Sequence, residues 1–368
     1  MSLTIRGLGT ALPGNPISQE LAAAINHVLC CRSEEQKPVV TNLFRHTGIR
    51  HRHMVLDERI ARDIIEGTAE SNSPFLPRGV SDDQGPSTRE RIRIYNETAL
   101  PLALQAARNA LSQSGIAPDE LTHLITISCT GFAAPGVDIG LMKALSLRPT
   151  LERTHVGFMG CHGAINGIRV AKAFTASDPD ARVLLCAVEL CSLHYHYGWD
   201  PKKIVANSHF ADGAAALVGV SRQRGGPDSW RVCATGSYLL PNTEYAMTWD
   251  IADHGFEMTL STKVPDLIAK NLRPWLVRWL ERQSVSLATV GSWAVHPGGP
   301  RILNAVEEGL GLRPDALAVS REVLADCGNM SSPTVLFILE RLCQRRASLP
   351  CVVLAFGPGL VAEAALIG

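Results

Sequence analysis

The sequence lacks any excess of one charge, because 35 Lys and Arg residues balance 35 Asp and Glu residues over 368 positions. A chain without net charge has no bulk attraction for nucleic acid or for an anionic membrane, so we expect neither as a partner. It also has no apolar run long enough to cross a bilayer, and its first residues lack the pattern of a signal peptide. Any site for an anion must therefore be local.

The ten cysteines lack paired spacing, and several, such as Cys129, lie inside strand-like apolar runs. This pattern is typical of reduced thiols in a cytoplasmic protein, and it argues against a disulfide framework or a structural zinc site. The histidine pairs His51/His53 and His194/His196 have spacings seen in some metal sites. No carboxylate or cysteine completes either pair, so we predict surface or cavity histidines and no metal.

What is present is the composition of a large folded chain, with 46% hydrophobic and 19% charged residues. At this length the chain can form two half-domains around one shared core. Apolar strand-like runs alternate with apolar helical patterns, so elements of both kinds are predicted to be buried. This alternation predicts a layered α/β fold with the central helices sandwiched.

Turn residues and helix caps mark the boundaries of these elements. Ser87 and Glu90 form a capping-box pattern after a Ser- and Pro-rich loop at 71–87, and Pro101 and Pro274 are expected to kink or interrupt their helices. The predicted strands are 3–12, 124–128, 183–188 and 214–220, and the predicted helices are 18–31, 87–115, 163–176, 264–282 and a second buried helix from about 331 to 344.

Three pairs of similar features recur at nearly one offset, which suggests a duplicated unit. The pairs and their separations are Cys129 and His296, each ending an apolar run (167), Cys161 and Asn329 (168), and Leu185 and Leu354 (169). Identity between the copies is low, so a chance likeness of pattern is the alternative. We predict an N-terminal half at 1–222 and a C-terminal half at 223–368, linked by the Gly- and Pro-containing stretch 221–229.

Three short segments each place a reactive side chain where a strand ends or a helix begins. These are Cys161 in Gly160–Ala164, His296 in Val295–Pro300 and Asn329 in Gly328–Ser332. A thiol at the start of a helix is favoured as thiolate by the helix dipole, and a neighbouring imidazole lowers its pKa further. A thiol, an imidazole and an amide held together can perform covalent acyl chemistry.

Each of these residues also has a simpler structural interpretation. Cys161 is read equally well as a small buried hydrophobic residue, His296 as a capping histidine in a loop, and Asn329 as a helix cap. The occurrence of all three in one chain favours the catalytic interpretation.

The segments His296–Pro300, Gly328–Ser332 and Phe356–Leu360, in this order and spacing, resemble the type III polyketide synthases, the chalcone synthase-like branch of the thiolase superfamily. The resemblance extends over nearly the whole chain. It implies a thiolase-like αβαβα fold with two pseudo-symmetric halves, and a homodimer. It also implies coenzyme A thioesters as substrates, with no further cofactor.

The family pattern places the catalytic triad on Cys161, His296 and Asn329. The implied reaction loads an acyl-CoA starter on Cys161 and extends it by repeated decarboxylative condensation with malonyl-CoA, giving a pyrone, a resorcinol or a related polyketide. Donors from His296 and Asn329 would stabilise the enolate oxygen. The open alternatives are a condensing enzyme like ketoacyl-carrier-protein synthase III, a Cys-His-Asn thiol hydrolase, and a non-catalytic acyl-CoA binding protein.

The resemblance also implies a substrate cavity, in which this chain departs from the plant chalcone synthases. The implied cavity residues are Phe210 at the gate, Cys129, Cys191 and His194 in place of threonines, Met258 in place of a second gate phenylalanine, and Trp249 in place of a glycine. A bulky indole at this place should shrink or redirect the cavity. Phe210 is read equally simply as a core aromatic residue, and neither a chalcone product nor a coumaroyl starter is expected.

Coenzyme A carries phosphates, so basic residues should meet it at the mouth of the site. Arg301, directly after the Gly298–Pro300 turn, is the first candidate. Arg45, Arg50 and Arg52 form a basic cluster in a region that corresponds to coenzyme contacts in relatives. A solvated basic surface is the alternative for these three.

Overall fold

The computed structural model describes residues 3–80, 82–221 and 230–368. The strands are β1 (Leu3–Ala11), β2 (Ile17–Ser18), β3 (His51–Arg52), β4 (His123–Ser128), β5 (Glu152–Gly157), β6 (Arg182–Leu190), β7 (Asp212–Ser221), β8 (Arg231–Leu239), β9 (Met247–Ala252), β10 (Gly255–Leu260), β11 (Ser292–Val295), β12 (Cys351–Gly357) and β13 (Val361–Ile367).

The helices alternate with these strands along the chain. They are α1 (Gln19–Cys30), α2 (Gln36–Arg45), α3 (Glu58–Glu66), α4 (Thr88–Ser114), α5 (Val137–Ala144), α6 (Gly163–Ser177), α7 (Pro201–His209), α8 (Val264–Glu281), α9 (Pro300–Leu310), α10 (Ala318–Cys327) and α11 (Thr334–Gln344).

One large sheet holds nine strands of the described ranges, in the order β11-β12-β13-β8-β1-β7-β6-β4-β5. Outward from its centre, β1, β7, β6 and β4 on one side are mirrored by β8, β13, β12 and β11 on the other. Of the three residue pairs that suggested a duplication, Leu185 and Leu354 lie in the equivalent strands β6 and β12. Cys129 and His296 directly follow the equivalent strands β4 and β11. This symmetric order agrees with the duplication inferred from the sequence offset.

Alternating side chains of the central strands enter different layers of the core. In β6, Val183, Leu185 and Ala187 pack with α6 and α11, whereas Leu184 and Cys186 pack with α4 on the opposite face. This period of two is the geometry of a strand. In the other half, β12 faces the central helices on one side and α8 and α9 on the other. The two halves of the sheet therefore lie on opposite sides of α6 and α11. The layers of the molecule are α, β, α, β and α, with α6 and α11 in the middle.

Most predicted elements agree with the structure. The capping box at Ser87 and Glu90 is formed, and α4 ends at Gly115 in a left-handed conformation. The interruption expected at Pro274 is wrong, because α8 continues through that residue. The helix α4 also continues through Pro101, and the kink expected there stays a prediction. Of the predicted link 221–229, Ser221 ends β7, and the other residues lie outside those the structure describes.

Within the described ranges, no helix is long and apolar enough to span a membrane. In the same part of the chain, no cluster of three or more His, Cys, Asp or Glu side chains has an arrangement suited to a metal ion.

Candidate active site

Cys161 lies in a short 3-10 turn, Gly160–His162, directly before the central helix α6. Gly160 has φ of +65°, and a Cβ atom there would lie 2.5 Å from the Cδ atom of Pro358. Only glycine fits this position, since both the conformation and the space exclude a side chain. The tight turn therefore presents the buried Cys161 thiol at the N-terminal end of α6.

Asn329 lies between α10 and α11, where the sequence predicted a helix start. Its backbone bridges to the chain beside Phe210, since the Asn329 amide donates to the His209 carbonyl at 3.0 Å. Its side-chain Oδ1 accepts the Ser331 backbone N–H at 2.8 Å. This bond fixes the orientation of the carboxamide, so its Nδ2 is left as a donor, with only a 3.5 Å contact to the Gly298 carbonyl.

His296 follows β11, and its backbone N–H donates to the Leu354 carbonyl of β12 at 2.8 Å. The side chain is almost fully buried, and neither ring nitrogen has a hydrogen-bond partner within the structure. Burial, together with the nearby His162, lowers the pKa of His296 to about 3. The ring is thus a neutral imidazole whose donor and acceptor are both free for a ligand.

The Asn329 segment lies at the Cys161 sulfur. The Ser331 hydroxyl and the Asn329 carboxamide face the sulfur, and both act to lower the pKa of the thiol. The Asn329 contact with Gly298 joins this group to the loop that bears His296. The structure therefore brings the predicted asparagine to the predicted cysteine and places the histidine loop beside the asparagine.

Burial outweighs those donors, however, and raises the pKa of Cys161 to about 11. The carboxylate of Glu189 also contributes to this rise. The expectation that the helix dipole leaves Cys161 anionic at rest is therefore not supported for the thiol alone. A lone thiolate is disfavoured, because desolvation penalises a single charge. The thiol must therefore lose its proton as the sulfur attacks, and an unpartnered ring nitrogen of His296 is the candidate acceptor, although burial also lowers the pKa of that ring.

We expect the Cys161 thiol of the unmodified chain to show this raised pKa. The rate of its alkylation by iodoacetamide should rise about tenfold per pH unit up to a pH of about 11, because the thiolate fraction rises in that way. If His296 accepts the thiol proton as the sulfur attacks, the His296→Ala variant should react more slowly at neutral pH. Intact-mass measurement over a pH series checks this, and identical profiles would show that His296 does not accept the proton.

The Cys161 thiol opens into a cavity of about 330 Å³. Five of the six predicted cavity residues line it, namely Cys129, Cys191, Phe210, Trp249 and Met258. The lining is almost wholly apolar, which suits an acyl chain.

The sixth predicted residue, His194, lies behind this lining and supports it. Its Nδ1 accepts the Phe256 backbone N–H at 2.9 Å, so Nε2 bears the proton and donates to the Thr130 carbonyl at 2.6 Å. Burial lowers the pKa of His194 to about 3. Trp249 similarly donates from Nε1 to the Cys129 carbonyl at 2.7 Å. These two side chains therefore hold the backbone at 129–130 in place.

Glu189 is a buried residue near the site that the sequence interpretation missed. Its carboxylate accepts hydrogen bonds from the Cys129 backbone N–H at 2.9 Å, the Thr130 hydroxyl at 2.7 Å and the Ser332 hydroxyl at 2.7 Å. Burial raises its pKa, and these donors act in the opposite direction. The sequence signal that could have identified Glu189 is a carboxylate directly after the apolar run 183–188. A carboxylate is rarely buried in such a run unless it is paired.

We expect Glu189→Ala to lower the free energy of unfolding by roughly 3–5 kcal/mol, because several buried donors lose their acceptor together. Urea denaturation followed by fluorescence checks this. Glu244→Ala is the matched control, because Glu244 is exposed and a surface change of this kind alters stability by about 0.5 kcal/mol or less. Equal stabilities of the two variants would contradict the structural role of Glu189.

The basic residues proposed for coenzyme binding are placed differently from one another. Arg301, in the first turn of α9, and Arg45, at the end of α2, are exposed, and neither forms an ion pair with another described residue. Arg50 is exposed and pairs with Asp326 at 2.5 Å. The grouping of Arg52 with a basic surface is wrong, because Arg52 is fully buried and donates to the Phe210 carbonyl at 2.8 Å.

A thiol beside a fixed carboxamide, with an unpartnered imidazole on a neighbouring loop, in a five-layered α/β fold, indicates a thiol-dependent acyltransferase of the thiolase-like class. Comparison with known proteins gives the family. The model for chalcone and stilbene synthases, N-terminal domain, matches residues 2–222, and that for the C-terminal domain matches residues 231–368. The chain therefore belongs to the chalcone and stilbene synthase family, the type III polyketide synthases, which are acyltransferases that condense malonyl-CoA units by decarboxylation.

Individual relatives are similar to this chain over nearly their whole length. The chain is 31% identical to the alpha-pyrone synthesis polyketide synthase-like Pks18 of Mycobacterium tuberculosis, covering 98% of this chain and 90% of the relative. It is 31% identical to 1,3,6,8-tetrahydroxynaphthalene synthase of Streptomyces peucetius subsp. caesius, covering 99% and 92%. The crystal structure of PKS-I from the brown alga Ectocarpus siliculosus superposes with a TM-score of 0.91 at 30% identity, covering 100% and 98%.

Proposed function

We propose that Cys161, His296 and Asn329 are the catalytic residues of this type III polyketide synthase. The observation that supports this most is the carboxamide of Asn329, whose orientation is fixed by Ser331 and whose free donor faces the Cys161 sulfur. A thiol buried as a structural residue would need no such donor. Cys161 would attack the carbonyl of an acyl-CoA starter, His296 would take the thiol proton, and coenzyme A would leave as the thiol.

Extension would then use the same donors on malonyl-CoA. As its carboxylate leaves as carbon dioxide, negative charge develops on the thioester oxygen of the enolate. The Asn329 amide donates without titrating, and neutral His296 can donate through one ring nitrogen. Donors in a buried site stabilise such charge strongly, because water does not screen them. The enolate carbon attacks the acyl group on Cys161, and the longer chain returns to the sulfur.

The substrates are assigned by family, and the cavity restricts their size. We infer that Cys129, Cys191, Phe210, Trp249 and Met258 contact the acyl chain, since they line the cavity with Cys161. Arg301 and Arg45 are the proposed contacts for the coenzyme phosphates, because both are exposed and unpaired among the described residues. The expected product is a pyrone, a resorcinol or a related polyketide, formed without any cofactor beyond the coenzyme A thioesters.

The direct test supplies malonyl-CoA with a panel of acyl-CoA starters and identifies products by mass. We expect chain-extended products that contain the starter and one or more malonyl-derived two-carbon units. Malonyl-carrier protein in place of malonyl-CoA serves as the comparison. Extension with the carrier protein alone would indicate the synthase III-like alternative, and release of free acid without extension would indicate a thiol hydrolase.

We expect Trp249→Gly to change the starter preference or the chain length of the product, because removal of the indole enlarges the cavity beside Cys161. Trp249→Phe is the matched control. It keeps an aromatic ring but loses the hydrogen bond to the Cys129 carbonyl, so it separates volume from that bond. Product profiles by mass spectrometry check this, and an unchanged profile for Trp249→Gly would remove Trp249 from the specificity determinants.

We also propose a homodimer in the cytoplasm. The support for the dimer is the edge strand β5, beside which Phe132, Phe158 and Met159 are exposed by 49%, 36% and 42%. A second copy is the expected partner, since an apolar patch at a sheet edge favours association. Light scattering should give twice the chain mass. The cytoplasmic location rests on the ten unpaired cysteines.

The two predicted halves, 1–222 and 223–368, are proposed as structural units of one core. Their support is the mirrored strand order and the boundaries of the two family models, which fall at 222 and 231. The cysteine would come from the first half, and the histidine and asparagine from the second.

A further inference from the structure

The segment Phe356–Leu360, one of the three that carry the family resemblance, contacts the turn that bears the proposed nucleophile. Pro358 packs against Gly160, where an added Cβ atom would lie 2.5 Å from the Cδ atom of the proline. The imidazole of His162 packs against Gly357, where an added Cβ atom would lie 2.6 Å from Nε2. The residue that bears the thiol thus lies between two neighbours that both contact this segment.

His162, which directly follows Cys161, has a buried side chain with one fixed hydrogen bond. Its Nδ1 lies 2.7 Å from Oδ1 of Asn166, one helical turn further along α6. The NH₂ group of Asn166 donates to the Glu363 carboxylate at 3.2 Å, so Oδ1 is the acceptor that faces His162. The imidazole therefore carries its proton on Nδ1, and this bond sets the orientation of the ring.

Glu363 anchors the far end of this chain of hydrogen bonds. Its side chain, in β13, is almost fully buried and forms an ion pair with Arg169 of α6. The Ser237 hydroxyl of β8 donates to the same carboxylate at 2.7 Å. Charge-assisted hydrogen bonds of this kind are stronger than neutral ones, so the carboxylate has a fixed place. A fixed carboxylate in turn holds the carboxamide of Asn166 and, through it, the ring of His162.

This chain of hydrogen bonds joins the two predicted halves of the molecule. His162 and Asn166 lie in the first half, at the start of α6, whereas Glu363 lies in β13 of the second half. A carboxamide donates and accepts hydrogen bonds without titrating, so Asn166 cannot pass a proton along the chain. The chain therefore orients the imidazole and does not connect it with protons at the surface.

The contribution of His162 to the site is not its charge. Burial lowers the pKa of His162, and the opposite effects of Asn166 and of the Glu363 carboxylate are smaller. His162 in turn contributes to the lowered pKa of His296. At neutral pH both rings are therefore uncharged, and replacement of His162 by a neutral side chain changes the charge near the thiol little. What remains for His162 to contribute is the position of its neighbour in the chain.

We propose that His162 is a positioning residue for the Cys161 nucleophile, and that it holds the turn in place through its hydrogen bond to Asn166. This inference rests on the proposed function. The sulfur must meet the carbonyl carbon of a thioester in a defined direction, and a displacement of about 1 Å can lower the rate of such a step about 10²-fold. A turn that loses its connection to Glu363 has more freedom to move, and the sulfur moves with it.

The test compares two rates in each variant. Acyl loading of Cys161 is measured by intact mass with hexanoyl-CoA in the absence of malonyl-CoA, and decarboxylation is measured by release of carbon dioxide from malonyl-CoA. In the proposed mechanism, decarboxylation uses donors on Asn329 and His296 and does not use the sulfur. The ratio of loading to decarboxylation therefore reports the placement of the sulfur, whereas a general loss of structure would lower both rates together.

His162→Leu removes the donor to Asn166 and keeps a side chain in the same space. His162→Asn is the conservative variant, because its amide nitrogen falls at about the place of Nδ1 and can donate in the same direction. Asn166→Leu removes the same hydrogen bond from the other side. The matched control is His123→Leu, since His123 is also buried but lies at the opposite end of β4 from Cys129. Thermal unfolding shows which variants are folded.

We expect His162→Leu and Asn166→Leu to lower the ratio of loading to decarboxylation by roughly 10–10²-fold. His162→Asn should recover most of this loss, and His123→Leu should leave the ratio unchanged even where it lowers the melting temperature. An unchanged ratio in folded His162→Leu, or in Asn166→Leu if His162→Leu does not fold, would overturn the inference alone. Failure of the unmodified enzyme to load hexanoyl-CoA or any other thioester of the starter panel would overturn the proposed function with it.

Discussion

Replacement of Cys161 by alanine is expected to abolish acyl loading and chain extension, with a loss of roughly 10⁴-fold or more. The structure offers no substitute at the same point. Cys129 and Cys191 line the same cavity, but burial and the neighbouring Glu189 carboxylate raise the pKa of each thiol well above its ordinary value. Neither thiol directly precedes an α-helix as Cys161 does. Loading is measured as a mass increase of the intact protein after incubation with an acyl-CoA.

The Cys161→Ala variant should still decarboxylate malonyl-CoA to acetyl-CoA at a measurable rate. In the proposed mechanism, donors on His296 and Asn329 stabilise the enolate, and the thiol takes no part in that step. Cys351→Ala is the matched control, since Cys351 is equally buried but lies in β12 away from the cavity. Extension activity that survives in Cys161→Ala would mean that another residue holds the acyl chain.

The three proposed catalytic residues stand out in the sequence because their neighbours restrict the backbone. Gly160 and Gly328 have positive φ values, and the turn after His296 is built from glycine and proline. Residues of this kind are visible in a sequence as departures from helix and strand patterns. Alternating apolar runs likewise predicted the central strands and the layered fold. These signals come from short segments of sequence, and the structure contains the turns and strands that they predict.

The rest of the site depends on contacts between distant segments. Glu189 receives donors from Cys129 and Ser332, which are 60 and 143 residues away. No local pattern indicates such a pairing. The same is true of the Cys161 pKa, because desolvation depends on how completely the sulfur is enclosed, whereas the helix dipole is a local property. Arg52 was grouped with Arg50 as a coenzyme contact from its place in the sequence, but its side chain is buried in the core.

Replacement of Asn329 by alanine is expected to reduce malonyl-CoA decarboxylation and chain extension by roughly 10²–10³-fold, the usual effect of removing one donor to a developing oxyanion. The Asn329 carboxamide is held by the Ser331 N–H on its oxygen side, so its NH₂ group is oriented before substrate binds. Alanine removes this donor and leaves the five predicted lining residues Cys129, Cys191, Phe210, Trp249 and Met258 unchanged. Acylation of Cys161 should therefore fall much less than decarboxylation.

The two steps can be measured apart, by release of carbon dioxide from malonyl-CoA and by mass increase of the protein with a starter. Asn304→Ala is the matched control, since Asn304 is exposed on α9 and should leave both rates unchanged. A selective loss of decarboxylation in Asn329→Ala would place the carboxamide at the enolate oxygen. Equal losses in both steps would instead mean that Asn329 also serves loading, through the Cys161 thiol that it faces or through the thioester that the steps share, because a donor used only in the transition state of decarboxylation cannot affect loading.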